Sequence, residues 1–217
     1  MRFQTVIFDF DGTIADTAAG IFESVQYALE KIGMQSASQE TLRKFIGPPL
    51  IFSFQQYIGL SNAQAQRAVE YYRENYAAGG KFKLTFYNGI EPLLGWLHRR
   101  GIQTCLASAK PDLFIQQILQ HFQAQNWFDY ARGMPMSHQS ADKSGIIQEV
   151  IHLCGDPQKE RILMVGDTKY DILGAKTLGI FSMGARYGYG SADELREAGA
   201  DYLADTPQDI QKILQSL

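Results

Sequence analysis

The chain has 217 residues, 45% hydrophobic, 12% aromatic and 20% charged, a composition that can fill a globular core and excludes disordered and collagen-like chains. Its 20 Lys and Arg stand against 23 Asp and Glu for a formal charge of -3, so no overall basic field draws nucleic acid or an anionic membrane, and a small anionic substrate needs a local positive site. No apolar stretch reaches the roughly 20 residues of a membrane span, and no long apolar region of a signal peptide opens the chain, so the expectation is a soluble cytoplasmic protein.

Residues Thr5–Phe8 form a continuous β-rich apolar run that stops at Asp9, as expected of a strand buried on both faces of a parallel sheet. After Gly12-Thr13-Ile14-Ala15, the positions Ile21, Val25, Ala28, Leu29 and Ile32 share one helical face, with Gly33 as the stop. Ser36 with Gln39, and Ser61 with Gln64, read as capping boxes that open two further helices. No convincing strand lies between Asp16 and Thr85. Beyond Tyr87-Asn88-Gly89 helices and strands alternate: a helix through Ile90, Leu93, Leu94 and Leu97, a strand Gln103–Ala107, and a helix with Pro111 in its first turn. A weaker strand is expected near Tyr130, then a helix through Ile146, Ile147, Val150 and Ile151, a strand Arg161–Val165, and a helix from Tyr170 to Leu178. Strand Ile180–Met183, a helix entered through Ser191 and Glu194, a strand at Tyr202-Leu203 and a helix entered at Thr206-Pro207 complete the pattern. The two cysteines, Cys105 and Cys154, lie far apart without CxxC or zinc-ligand spacing and read as small buried hydrophobes.

The expected architecture is an open, doubly wound parallel α/β sheet made of residues 1–15 and 86–217, interrupted by an all-helical insertion, 16–85. An insertion directly after the first strand belongs over the carboxyl edge of the sheet, where open α/β sheets bind ligands. Four polar stations lie at or near that edge: Asp9-Phe10-Asp11-Gly12-Thr13, Ser108-Ala109-Lys110, Lys143, and Gly166-Asp167-Thr168-Lys169-Tyr170-Asp171. Each has an ordinary alternative. Asp11-Gly12 is also a hairpin signal, Asp167 and Asp171 are also an acidic first helical turn, and Lys143 is also a solvated lysine. A calcium loop is disfavoured because Asp-x-Asp-x-Asp-Gly with its distant Glu is incomplete. If the carboxylates converge, each pair about 4 Å apart repels by roughly 4 kcal/mol at an effective dielectric of about 20, so a counter-ion is required. Oxygen ligands without nearby His or Cys favour a hard ion such as Mg²⁺, with Lys143 as a point charge on a phosphate. His98, His121, His138 and His152 show no metal-ligand spacing.

These stations resemble the four motifs of the haloacid dehalogenase superfamily of phosphatases, and the match runs the whole chain. The insertion resembles that superfamily's small helical cap, while Gly47-Pro48-Pro49-Leu50 and Arg186-Tyr187-Gly188-Tyr189-Gly190 resemble its phosphoglycolate-phosphatase-like branch. The second aspartate, Asp11, points to phosphoryl transfer rather than carbon–halogen cleavage. The resemblance implies Asp9 as nucleophile through an aspartyl-phosphate and Asp11 as acid and base, with Ser108, Lys143, Gly12 and Thr13 on the phosphoryl group. It implies Mg²⁺ held by Asp9, the Asp11 carbonyl and Asp167, with Asp171 orienting the metal shell. The cap sets specificity, with Arg43, Lys44, Gly47 and Pro48 as its candidates, and Arg186 and Tyr187 are candidates for the entrance. The sequence departs from the branch at Ala109, where Asn is usual, and at Ser144, where Pro is usual, which leaves Lys110 and Lys169 as alternative cations. The expected activity is Mg²⁺-dependent hydrolysis of a small phosphorylated metabolite, phosphoglycolate foremost, by a monomer or homodimer. The alternatives are a nucleoside 5'-monophosphate phosphatase, a pyrophosphatase, a β-phosphoglucomutase-like mutase, and an inactive binding module of the same fold.

Overall fold

The run Thr5–Phe8 is buried at all four positions as strand β1, and it lies at the centre of the computed structural model, which describes residues 2–137, 140 and 142–217. The remaining strands are β2 (Ala15–Asp16), β3 (Thr85–Phe86), β4 (Gln103–Pro111), β5 (Tyr130–Met134), β6 (Ile162–Gly166), β7 (Phe181–Ala185) and β8 (Tyr202–Ala204). The helices are α1 (Ala18–Lys31), α2 (Gln39–Arg43), α3 (Leu50–Ile58), α4 (Asn62–Ala78), α5 (Ile90–Arg99), α6 (Asp112–His121), α7 (Ser144–Leu153), α8 (Lys169–Leu178), α9 (Ala192–Ala198) and α10 (Pro207–Ser216). Six strands form one parallel sheet in the order β5-β4-β1-β6-β7-β8, and β2 pairs with β3 separately.

The chain divides into two compact units, one of residues 2–16, 86–136 and 142–217 and one of Thr17–Thr85 with Ser137 and Ser140. In the first, Ile7 lies between Cys105 and Met164. Because strand side chains alternate, Ile7, Cys105, Ala107 and Met164 share one face, which α7 covers with Ile146, Ile147, Val150 and Ile151. The chain runs from β1 to β4 on one side and from β6 to β7 on the other, so the sheet reverses direction between β1 and β6. That is where a doubly wound sheet opens a crevice at its carboxyl edge. Asp16 falls with the first unit: it belongs to β2 and accepts a hydrogen bond from Tyr189 Oη at 2.7 Å.

In the helical unit, α1 packs on α4, and the single Ser24 hydroxyl proton has two acceptors in reach, Gly20 O at 2.8 Å and Asn75 Oδ1 at 3.0 Å. The Ser61–Gln64 capping box opens α4 as expected. The Ser36–Gln39 box does not form. Ser38 is the N-cap of α2 and accepts from Thr41 N, a phase that buries Leu42, so packing overrides the local hydrogen-bond pattern. Helix α3 starts after Pro49 and ends at Gly59; the sequence reading does not include it, although Leu50, Phe54, Tyr57 and Ile58 keep helical spacing. Pro111 caps α6 rather than entering its first turn. Among the described residues no helix is long and apolar enough to cross a membrane.

Candidate active site

The site grows from the end of β1. Asp9 N donates to Val165 O at 2.9 Å, which extends the β1–β6 ladder one step and leaves the Asp9 side chain buried on the same side of the sheet as Ile7. The backbone then folds over itself: Thr13, Ile14 and Ala15 all donate to Phe10 O, at 3.3, 3.0 and 3.1 Å. Gly12 has φ +80, and a Cβ there would stand 2.1 Å from Asp167 Oδ2, so this tight turn against a carboxylate accepts only glycine.

Lysines hold both aspartates of the first station. Lys143, the N-cap of α7, puts Nζ 2.9 Å from Asp9 Oδ2 and 2.6 Å from Asp171 Oδ1, with its side chain 4% exposed. Lys110 Nζ lies 3.0 Å from Asp11 Oδ2. Ser108 is buried at the carboxyl end of β4, two residues beyond the partner of Phe8, and its Oγ accepts from Lys110 N at 3.3 Å.

Asp167 and Asp171 follow β6. Asp167 Oδ1 accepts from Thr13 Oγ1 at 3.3 Å and Oδ2 from Tyr189 N at 2.8 Å. Asp171 Oδ2 closes a capping box with Thr168, accepting from its N at 3.0 Å and its Oγ1 at 2.8 Å, while Oδ1 takes Lys143. Asp171 therefore caps α8 and also fixes the site lysine; the two readings of that acidic turn are compatible.

The electrostatics follow from burial. Asp9 is pushed up to about 6 by burial, which Lys143 partly offsets and which Asp171 and Asp11 reinforce. Burial, then Asp171 and Asp9, raise Asp167 well above the ordinary carboxylate range against the pull of the Tyr189 N–H and Lys143. Burial alone would lower the Lys143 ammonium, but Asp171 and Asp9 more than reverse this and hold it above its usual range.

Asp9, Asp167 and Asp171 each offer a carboxylate oxygen within 4.8 Å of the others. Asp9 Oδ1 is buried and accepts no hydrogen bond. A buried carboxylate oxygen without a donor is costly, and an all-oxygen cluster around it fits a hard cation such as Mg²⁺.

The model for haloacid dehalogenase-like hydrolases matches residues 6–185, which include all four stations. The chain belongs to that family. A 5'-nucleotidase of Pseudomonas aeruginosa is 35% identical over 217 residues, covering 100% of this chain and 97% of its own. A phosphoglycolate phosphatase of Pseudomonas fluorescens is 26% identical, with 97% of this chain and 78% of its own length covered. The crystal structure of a predicted phosphatase from Clostridium acetobutylicum superposes with a TM-score of 0.92 at 35% identity over 100% of both chains.

Other expected site residues of this haloacid dehalogenase-like hydrolase have partners of their own or belong to the helical unit. Lys169 pairs with Glu194 at 3.1 Å and Arg186 with Asp205 at 2.8 Å, so neither sits among the carboxylates. Arg43 and Lys44, both exposed, close α2 in the helical unit, and Gly47 and Pro48 lie in the turn before α3. His138 lies outside the described residues. The sequence reading quotes Tyr189 and its flanking glycines only for their resemblance to a family branch and gives them no role at the site. A Cβ on Gly188 would stand 2.3 Å from Asp167 Cβ, and this close approach lets the Tyr189 N–H reach Asp167. Tyr187 Oη donates to Thr13 O at 3.0 Å, so the loop braces two stations at once. The signal was present in two glycines alternating with tyrosines just past a strand end.

Proposed function

We propose that this phosphatase hydrolyses small phosphomonoesters through an aspartyl-phosphate on Asp9, with nucleoside 5'-monophosphates as the first substrate class. The observation that carries it is Asp9 itself: one oxygen is held by Lys143 and the other, buried, accepts no hydrogen bond. That second oxygen is the natural seat of a cation, with Asp167 and the Asp11 carbonyl completing the protein's share. When bound, Mg²⁺ supplies charge neutralisation for the phosphoryl oxygens.

The Asp9 carboxylate attacks phosphorus and the ester P–O bond breaks. Asp11, in its acid form, gives its proton to the departing alkoxide and takes one back from the water that hydrolyses the intermediate. Lys110 holds the Asp11 side chain in place. Ser108, Lys143 and the Gly12-Thr13 backbone receive the phosphoryl oxygens, the kind of fixed stabilisation on which phosphoryl transfer depends. Asp171 keeps Lys143 aimed at Asp9. In the same proposal the enzyme works in the cytoplasm as a monomer or homodimer without nucleic acid.

Nucleotides come first because the 5'-nucleotidase relative matches over nearly both full lengths at 35%; the phosphoglycolate phosphatase, at 26%, supports phosphoglycolate as the second class. Phosphate release from a panel holding both classes, pyrophosphate and β-glucose 1-phosphate, with Mg²⁺ or chelator, tests the reading. The expected result is Mg²⁺-dependent release, fastest on a nucleotide and abolished by Asp9→Asn. Release that survives Asp9→Asn refutes the intermediate, and a ranking led by phosphoglycolate refutes the substrate class.

A further inference from the structure

The two cysteines, 49 positions apart in the sequence, meet in the sheet unit with Sγ to Sγ at 3.3 Å. Cys105 is fully buried in β4 between Ile7 of β1 and Tyr130 of β5. Cys154 is the C-cap of α7 and only partly buried. Both are free thiols.

We propose that Cys105 and Cys154 are a modification site, a dithiol that closes reversibly into an intramolecular disulfide on reaction with a low-molecular-weight disulfide. A disulfide needs its sulfurs about 2.05 Å apart, so closure from 3.3 Å is a movement of only about 1.2 Å. The chain can supply it at the Cys154 end. The helix stops there, and Gly155 and Asp156 follow with φ +82 and +51, a reversal held by the cap N–H bonds of Cys154 to Val150 O and Ile151 O.

The geometry also orders the chemistry. Cys154 is the more exposed thiol, and the hydrogen bond between the two sulfurs, in which either can donate, favours the thiolate on Cys154, while that bond and burial push the Cys105 thiol up. The Cys154 thiolate attacks one sulfur of the reagent RSSR, forming Cys154–S–SR and releasing RS⁻. Cys105 then loses its proton and attacks Cys154 Sγ, breaking the mixed disulfide and releasing a second RS⁻. The two thiol protons leave on two RSH, so the chain is oxidised by two electrons and the reagent reduced by two.

The bond would tie β4, three residues before Ser108, to the far end of the helix that Lys143 caps. It spans 49 positions, and a loop of that size restricts the unfolded chain strongly.

The whole chain is incubated with oxidised glutathione and its intact mass, peptide map and melting temperature are read. The expected product has lost the mass of two hydrogens, carries a Cys105–Cys154 cross-linked peptide and no glutathione, melts about 5 °C or more higher, and reverts in dithiothreitol. Cys105→Ser should instead keep one glutathione on Cys154. A native chain that retains both thiols, or holds a lasting glutathione on Cys154 while Cys105 still alkylates, overturns the proposal and leaves the pair as core packing.

Discussion

Replacing Lys143 by Met keeps the volume of a long side chain and removes one charge. In the native chain that ammonium touches Asp9 at 2.9 Å and Asp171 at 2.6 Å, with the Asp171 side chain fully buried. Without it, Asp9, Asp167 and Asp171 remain buried within 4.8 Å of each other. Each ionised pair at about 4 Å repels by roughly 4 kcal/mol at an effective dielectric of about 20. The carboxylates will take up protons before the full repulsion develops, which limits the loss to the roughly 3–5 kcal/mol typical of breaking a buried pair. At about 2–4 °C per kcal/mol for a chain of this size, the melting temperature should fall by roughly 6–20 °C at pH 7 in chelator. Differential scanning calorimetry measures it directly. The deficit should shrink at pH 5, where Asp9 and Asp167, both raised by burial, take up protons, and on the proposed function it should shrink again in millimolar Mg²⁺ through binding to the folded site. A variant that melts within about 2 °C of the native chain at pH 7 in chelator refutes the argument, because the carboxylates would then not be sharing a dry, charged site.

The native chain should itself lose stability with rising pH when Mg²⁺ is chelated. Asp9 binds its proton more tightly folded, at about 6, than unfolded, at 3.8, so its contribution is complete below 3.8 and lost as pH rises through 6. That is about 3 kcal/mol at roughly 1.4 kcal/mol per unit; Asp167 shifts in the same direction, and a melting temperature flat from pH 4 to 7 would contradict both. Gly188→Ala would drive a Cβ to 2.3 Å from Asp167 Cβ and 2.4 Å from Gly12 O, pulling Tyr189 N from Asp167. Mg²⁺ affinity should drop about 10-fold or more, and a calorimetric titration indistinguishable from the native one would be against it. Asp11→Asn keeps the backbone carbonyl and similar size while removing the proposed acid and base. Turnover should fall by about 10²-fold or more with Mg²⁺ binding retained, and near-native turnover assigns the proton transfers elsewhere.

The sheet was legible because its strands are buried on both faces: Thr5–Phe8 and Ile162–Val165 are unbroken apolar runs, which local sequence announces without help from neighbours. Strand ends were less so. β4 runs on to Pro111 because β5 pairs alongside it through Met134, a fact absent from residues 103–107. The stations that reach the site, Asp9, Asp11, Ser108, Lys143, Asp167 and Asp171, were legible as polar breaks at the ends of core elements. Their pairings were not. Lys110 on Asp11 and Lys143 on both Asp9 and Asp171 depend on how three strands and a helix converge. The cysteines show the same limit, since nothing near residue 105 or residue 154 announces the other.

The pairings also explain why so acidic a site can exist. Asp9, Asp11, Asp167 and Asp171 would carry four negative charges against the two ammonium groups paired with them, Lys110 and Lys143. The imbalance of two is the charge of one divalent cation, and the raised carboxyls of Asp9 and Asp167 are the protein's own response to that imbalance. A phosphomonoester dianion entering this site would add two more negative charges at the position of greatest repulsion. Lys143 cannot neutralise them alone, because both aspartates already hold it. On the proposed function, cation and substrate would therefore bind cooperatively. The same reasoning makes Asp171 more than a helix cap: by taking Lys143 at 2.6 Å it keeps the ammonium beside Asp9, and by accepting Thr168 N and Oγ1 through its other oxygen it ties that position to the start of α8.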